Sequence, residues 1–159
     1  KQLRDIIPDL CFVLIGEGAA KETLAKLVEE EKLSNMTLLP FQPYEDIAHV
    51  FSLGDAGLII SKPGIGGSSV PSKTWSIMAC NTPIIAAFDT DSELAEVIEK
   101  ANAGVTVEPE DAESLVSAIL EIKNGRAESF TGGRKYAVEN VSKDKCTAKY
   151  VETIKNVIK

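Results

Sequence analysis

The sequence predicts an α/β domain built on a doubly wound parallel sheet, and three observations lead to this class. Five short apolar runs, rich in residues that favour strands, alternate with segments whose apolar residues recur at helical spacing. This alternation predicts parallel strands joined by right-handed helical crossovers. The chain has 159 residues, the length of one ordinary domain, and 44% of them are apolar, which is enough for a normal core.

The apolar pattern gives the order of the elements. The first apolar run is continuous rather than alternating, which is typical of a strand that is covered on both faces. Residues 1–7 read as the end of a further helix that Pro8 stops. Asn81 follows a predicted helix and tolerates the left-handed conformation of a turn. The predicted strands are residues 10–15, 36–39, 56–60, 83–87 and 105–107. The predicted helices pass through Leu24, Val50, Met78, Val97 and Ile119, and a last helix covers residues 143–159.

Helix ends and faces can also be predicted from residue types. Asp91 or Ser92 can cap the helix through Val97, because both side chains accept hydrogen bonds from free N–H groups of a first turn. The terminal helix has one apolar face, and its lysine-rich other side is expected to face water. The apolar face consists of Cys146, Tyr150, Ile154 and Ile158.

Charge and cysteine content narrow the classes of partner and compartment. The net charge of −7 argues against nucleic acid and anionic membrane surfaces as primary partners. The three cysteines, Cys11, Cys80 and Cys146, lie far apart in apolar or helical patterns, so we expect buried, inert thiols in a reducing compartment. No apolar run approaches the ~18 residues of a membrane span. The expected location is therefore the cytoplasm.

The stretch between the third and fourth predicted strands is the candidate binding loop. It reads SKPGIGGSSVPSK, residues 61–73, with glycines and serines ahead of a predicted helix start at Pro71. Free backbone N–H groups and the positive end of a helix dipole suit an anion. Lys73 is unfavourable in a first helical turn unless an anion lies beside it. The loop therefore predicts a site for a nucleotide diphosphate, with a simple glycine-rich turn as the alternative.

Four polar or glycine-rich loops follow predicted strands and should share one rim of the sheet. In doubly wound sheets, ligands bind outside the carboxyl ends of the strands, where the strand order reverses. Several such loops on one rim make a binding site more credible than any single loop does. The four are the turn at residues 16–18, the Pro40–Phe41 segment, the loop at residues 61–73 and the loop at residues 89–93.

Taken in order, five stretches of the chain resemble the carboxyl-terminal, donor-binding domain of GT-B-fold retaining glycosyltransferases. The resemblance is to the WbuB-like branch in particular, which makes colanic acid, O-antigen and capsule. It implies a Rossmann-like doubly wound parallel sheet that is one half of a GT-B fold and that lacks its first strand. The stretches are FVLIGEG, LLPFQPYEDIAHVFSLGDAGLI, SVPSKTWSIMACNTPIIAA, DSELAEVIEKANAGVTVEPED and GRKYAVENVS.

The resemblance implies an enzyme that transfers a sugar from a UDP- or GDP-sugar to a polysaccharide or lipid-linked acceptor. The nucleotide-sugar is a substrate, and the resemblance implies no cofactor and no metal. By position, the serines and the lysine of the loop would face the diphosphate, the Pro40–Phe41 segment would border the base, and Glu93 would lie beside the sugar or ribose. The resemblance assigns no catalytic residue. The implied binding residues are Gly16, Gly18, Pro40, Phe41, Ser68, Ser69, Val70, Ser72, Lys73 and Glu93.

One departure from the wider group leaves alternatives open. Many relatives carry two glutamates eight positions apart, whereas Ser68 and Ser76 stand here, so ribose recognition must differ. The alternatives are a GT-B-fold sugar-nucleotide 2-epimerase and a non-catalytic nucleotide-binding or assembly module. A dinucleotide dehydrogenase fits less well, because Gly16 and Gly18 are not followed by the third glycine of that motif.

The resemblance also implies that residues 1–159 are a single nucleotide-sugar-binding domain within a longer chain. The partner would be an amino-terminal acceptor domain of the same protein, through which membrane contact would occur. The predicted strands at residues 10–15 and 56–60 would then flank the place of an absent central strand. We expect them to pair directly, to be completed by another chain, or to belong to a larger protein. The 159 residues alone are expected to be inactive.

Overall fold

The computed structural model describes residues 1–68 and 70–158. It divides into two compact units, Lys1–Val50 and Phe51–Lys159, which are described in turn. The predicted contact of Ser69 with a diphosphate lies outside the described residues.

The first unit contains a two-stranded parallel sheet. Strand β1 (Phe12–Ile15) is followed by helix α1 (Lys21–Glu30) and strand β2 (Met36–Leu39). The two strands pair in parallel, with Phe12 opposite Met36. A 3₁₀ turn, Tyr44–Asp46, then leads into helix α2 (Ile47–Ser52), whose last residues belong to the second unit.

Residues 1–7 form hydrogen-bonded turns rather than the predicted helix end. The Ile7 amide donates to the Leu3 carbonyl at 2.8 Å, a single helix-like bond that does not propagate. Leu3 and Ile7 are nevertheless buried, each 4% exposed. A helix needs consecutive bonds of this kind, and Pro8 has no N–H group to donate the next one.

Strand β1 is not covered on both faces within its unit, so that prediction is wrong. Val13 and Leu14 are 53% and 45% exposed. Cys11 is exposed as well, which contradicts the prediction of a buried thiol, and Cys80 and Cys146 are only half-buried. An apolar run indicates that both faces of a strand favour burial, but only the tertiary structure shows whether other elements pack against them.

The second unit contains a three-stranded parallel sheet in the order β3-β4-β5. Every residue of β4 is buried, because this strand is paired on both sides and covered on both faces. The elements are β3 (Gly57–Ile60), α3 (Lys73–Ala79), β4 (Ile84–Ala87), α4 (Glu93–Lys100), β5 (Gly104–Val107), α5 (Ala112–Lys123), α6 (Gly133–Tyr136) and α7 (Lys143–Val157). A 3₁₀ turn at Arg126–Ser129 and a π-helical segment at Ala137–Val141 flank α6.

A continuous hydrophobic core holds this sheet and its helices together. Met78 of α3, Ile84 of β4 and Leu94 of α4 are each 0% exposed, and Phe88 after β4 is 1% exposed. Trp75, three residues before Met78 in α3, packs against this core with part of its surface. Alternating strands and helices thus produce the parallel α/β arrangement that the sequence predicts.

Several predicted helix ends are confirmed. Ser92, rather than Asp91, caps α4, and its hydroxyl accepts from the Ala95 amide at 3.3 Å. Asn81 has φ of 57°, the left-handed turn predicted for it. Within the described residues, no helix combines the length and apolar character required to cross a membrane.

Helix α7 exposes both of its faces. Its lysine-rich side faces solvent as predicted, but Tyr150, Ile154 and Ile158 are 72%, 54% and 78% exposed. No residue described in α7 is buried, so its apolar periodicity does not indicate core packing in this unit.

Within the described part of the chain, β1 pairs only with β2 and β3 pairs only with β4, so each sheet has free edges.

Candidate functional site

The glycine-rich loop after β3 closes around a carboxylate from the loop after β4. The Gly64 amide donates to Oδ1 of Asp89 at 2.9 Å, and the Gly66 amide donates to Oδ2 at 2.5 Å. These charge-assisted bonds connect two carboxyl-end loops of neighbouring parallel strands. The backbone amides predicted to bind a ligand anion are, in this part of the loop, occupied by an anion of the chain itself.

The hydrogen bonds change the acidity of Asp89. The amide of Gly64, followed by that of Gly66, lowers the pKa of this carboxyl below its usual value, and partial burial opposes the change. The sequence analysis placed Asp89 in the rim loop at residues 89–93 but gave its side chain no role of its own. The signal that identifies it is an acidic residue two positions after a buried strand, facing glycine amides that need an acceptor.

The second half of the loop carries most of the predicted diphosphate contacts. Ser68 is exposed, and its amide donates to the Ile65 carbonyl at 2.9 Å. Val70 packs against the core with part of its side chain, which leaves its backbone rather than its side chain for a ligand. Ser72 is exposed and makes no side-chain cap at α3.

Lys73 begins α3, as the sequence predicts, but α3 has only 7 residues. A helix of two turns adds a modest dipole, so the charge of the lysine matters more than the helix end. Within the described residues no carboxylate pairs with its ammonium group, and burial lowers the pKa of Lys73. An anion placed beside this ammonium would stabilise its charged form.

The loop at residues 88–93 lies directly beside the glycine-rich loop. A side-chain carbon added at Gly66 would lie 2.8 Å from Cβ of both Asp89 and Ser92. Glu93, the next residue, is exposed at the first position of α4. The structure therefore brings two of the predicted binding loops together at the carboxyl ends of β3 and β4.

In the first unit, two of the predicted binding residues, Gly16 and Phe41, lie close together. Gly16 follows β1 with φ of 146°, a conformation that strongly favours glycine, and its Cβ position lies 3.5 Å from the Phe41 ring. Phe41 is 69% exposed, so an aromatic face is available to a planar ligand group. Pro40 is exposed beside it, and Gly18 has open space around it.

In the described part of the chain, no group of three histidine, cysteine, aspartate or glutamate side chains could hold a metal ion. An open depression of about 400 Å³ is lined by Asp55, two residues before β3, and by Pro83, directly before β4. It therefore lies at the amino ends of these strands, away from the candidate loops.

These loops, on a parallel α/β scaffold, belong to a recognisable class of proteins. Residues 1–142 match the family described as Glycosyl transferases group 1, so the chain belongs to this family. It is 28% identical over 155 residues to WcaI of Escherichia coli K12, described as a putative colanic acid biosynthesis glycosyl transferase. It is 27% identical over 111 residues to WbjE of Pseudomonas aeruginosa, described as a probable glycosyltransferase. These matches confirm the family predicted from the sequence.

The chain spans only part of these relatives. The match to WcaI covers 97% of this chain and 37% of WcaI, and the match to WbjE covers 70% of this chain and 28% of WbjE.

Solved structures confirm the GT-B relationship of the fold. Sucrose-phosphate synthase from Thermosynechococcus elongatus superposes with a TM-score of 0.81 at 22% identity, covering 99% of this chain and 41% of that one. HepE from Anabaena, solved with UDP-glucose, gives 0.77 at 18% identity and covers 94% and 42%. Staphylococcus aureus TarM, solved with UDP, α-GlcNAc-glycerol and fondaparinux, gives 0.75 at 19% and covers 94% and 30%.

Proposed function

We propose that this chain is the donor-binding part of a glycosyltransferase that uses a UDP- or GDP-sugar. The observation that carries the proposal is membership of the glycosyltransferase family over residues 1–142. A uridine nucleotide bound to two proteins of the same fold, HepE and TarM, supports this substrate class. The acceptor is a polysaccharide or a lipid-linked glycan, in keeping with the description of WcaI.

The diphosphate contacts are assigned to the second half of the glycine-rich loop. Ser68, the backbone at Val70, and Ser72 supply neutral donors, and Lys73 supplies the cation. An ammonium group without a carboxylate partner in the described residues, with a pKa lowered by burial, supports the last assignment. Ser69 is assigned here from the sequence alone, and Glu93 is placed beside the sugar or ribose.

The nucleobase contact is assigned to the first unit. The exposed Phe41 ring, held over Gly16, offers a surface on which a base can stack. Pro40 and Gly18 border the same surface. These residues are assigned to binding only, and no residue of this chain is assigned to catalysis.

Acceptor binding and catalysis are assigned to protein beyond these 159 residues, as one domain of a longer enzyme. The support is that the chain corresponds to 37% of the length of WcaI. The whole enzyme would work in the cytoplasm, at the inner face of the membrane where lipid-linked glycans are built.

A calorimetric and thermal-shift panel of UDP, GDP, ADP and dTDP tests the proposal. A nucleotide at 100-fold its dissociation constant should stabilise the protein by about 2.7 kcal/mol. The matching nucleoside, which has no phosphate, is the control and should bind much more weakly. Equal, negligible shifts with all four nucleotides at millimolar concentration would contradict the proposed donor site.

A further inference from the structure

We propose that Asp89 is a positioning residue for nucleotide binding. Its carboxylate fixes the first half of the glycine-rich loop, residues 64–66, so that the described residues of the second half, Gly67, Ser68 and Val70, are held in one conformation for the diphosphate. The inference rests on the proposed function, because it assumes that a diphosphate binds beside this loop.

The first step is the geometry of the contact. Each oxygen of Asp89 accepts from one glycine amide, Gly64 at 2.9 Å and Gly66 at 2.5 Å. The backbone of Asp89 is held in the turn that precedes α4, since its carbonyl accepts from the Ser92 amide at 3.2 Å. A bidentate carboxylate on a fixed backbone restrains the loop in both position and orientation.

The second step is that no ligand fits between the carboxylate and the loop. A Cβ added at Gly66 would lie 2.8 Å from Asp89 Cβ, Asp89 Oδ2 and Ser92 Cβ, so a methyl group already exceeds the space. A phosphate is larger than a methyl group. The Gly64 and Gly66 amides therefore donate to Asp89, and the diphosphate must be bound by other donors.

The third step links this contact to a predicted binding residue. The Ser68 amide donates to the Ile65 carbonyl at 2.9 Å, and Ile65 lies between the two glycines that Asp89 holds. Around Gly67, by contrast, an added Cβ would meet nothing within 4 Å. The loop thus has a fixed half and an open half, and the bond from Ser68 connects them.

The test is Asp89→Asn in the full-length protein. Asparagine keeps the shape but presents an N–H₂ group to one of the two glycine amides, so one bond becomes a repulsive contact. We expect the Kd of the UDP or GDP that the wild type binds to rise about tenfold, because the loop is no longer preorganised. Affinity for the nucleoside should not change, which separates loop positioning from general loss of structure.

Two further variants sharpen the test. Asp91→Asn removes the same charge from an exposed neighbour in the same loop and should leave the Kd unchanged. Gly66→Ala disrupts the contact between Asp89 and the loop from the loop side, because the added methyl group would overlap Asp89. Its effect and that of Asp89→Asn should not add, because both break one contact. Gly66→Ala carries the test if Asp89→Asn does not fold, as judged by circular dichroism.

Amide hydrogen exchange in the ligand-free protein gives a second readout. Exchange across residues 61–68 should accelerate in Asp89→Asn and not in Asp91→Asn. Faster exchange with an unchanged Kd would overturn the positioning role. Tighter nucleotide binding by Asp89→Asn would overturn it as well, because the carboxylate would then compete with the phosphate. A wild type that binds no nucleotide would overturn the proposed function, and this inference with it.

Discussion

Lys73 carries a positive charge at the first position of α3, where the helix dipole disfavours a cation. Within the described residues its ammonium has no carboxylate partner, and burial lowers its pKa. If it contacts the diphosphate, Lys73→Ala should weaken nucleotide binding by about 1.5–3 kcal/mol, the range for hydrogen bonds to charged groups. Isothermal titration measures this loss.

Lys62 provides the matched control for Lys73. It lies in the same loop, is exposed, and makes no ion pair or hydrogen bond within the described residues. Lys62→Ala should leave both binding and folding unchanged. Equal loss of affinity in both variants would mean that the loop acts through its overall charge and not through one lysine.

The lowered pKa of Lys73 also gives this contact a pH dependence. A diphosphate favours the charged ammonium, so the pKa of Lys73 is higher in the complex than in the free protein and the complex holds more protons. Affinity should therefore fall as the pH rises from neutral through the lowered pKa of the free protein, towards the ordinary lysine value of 10.5. Lys73→Ala should remove this alkaline loss.

At the scale of elements, β4 and β5 depend on a glycine at their contact. Gly104 pairs with Ile84, and an added Cβ would overlap the carbonyl oxygen of Ile84. Ile84 lies in the fully buried central strand and cannot move aside. Gly104→Ala should therefore destabilise the protein by about 3 kcal/mol, the upper part of the usual range for overpacking.

Urea unfolding measures this difference, and Gly67→Ala is the control. At Gly67 an added Cβ meets nothing within 4 Å, and the substitution should cost much less. If the two alanine variants had equal unfolding midpoints, the close approach of β4 and β5 would not limit stability.

At the scale of the whole molecule, burial is distributed unevenly between the two units. In the first unit the buried residues are Leu3, Ile7 and Asn35, whereas the second unit contains the continuous core around β4. Local opening costs less where few apolar groups are buried. Hydrogen exchange of the 159-residue chain should therefore be fast in β1 and β2 and slowest in β4. Equal protection of β1 and β4 would contradict this.

Much of the fold could be predicted because strands and helices have different apolar periods. Strands β2 to β5 were predicted to within one residue at each end, and β1 was predicted two residues too early, at residue 10. The cap at Ser92 and the left-handed Asn81 followed from local chemistry. Burial in the terminal helix could not be predicted, because periodicity describes a face and not what lies against it.

The candidate site, too, could be predicted from the sequence only in part. The sequence by itself determined the class of fold and the loop that carries Lys73, since these follow from apolar periods and from residue types along the chain. It also indicated the family, through the resemblance of five stretches to known members. Only the tertiary structure decided which amides of that loop are free. Asp89 lies 23 residues from Gly66 in sequence, yet its carboxylate occupies that glycine's amide. A parallel sheet aligns the carboxyl ends of neighbouring strands, so residues distant along the chain meet there, and no local pattern records which of them will form the contact.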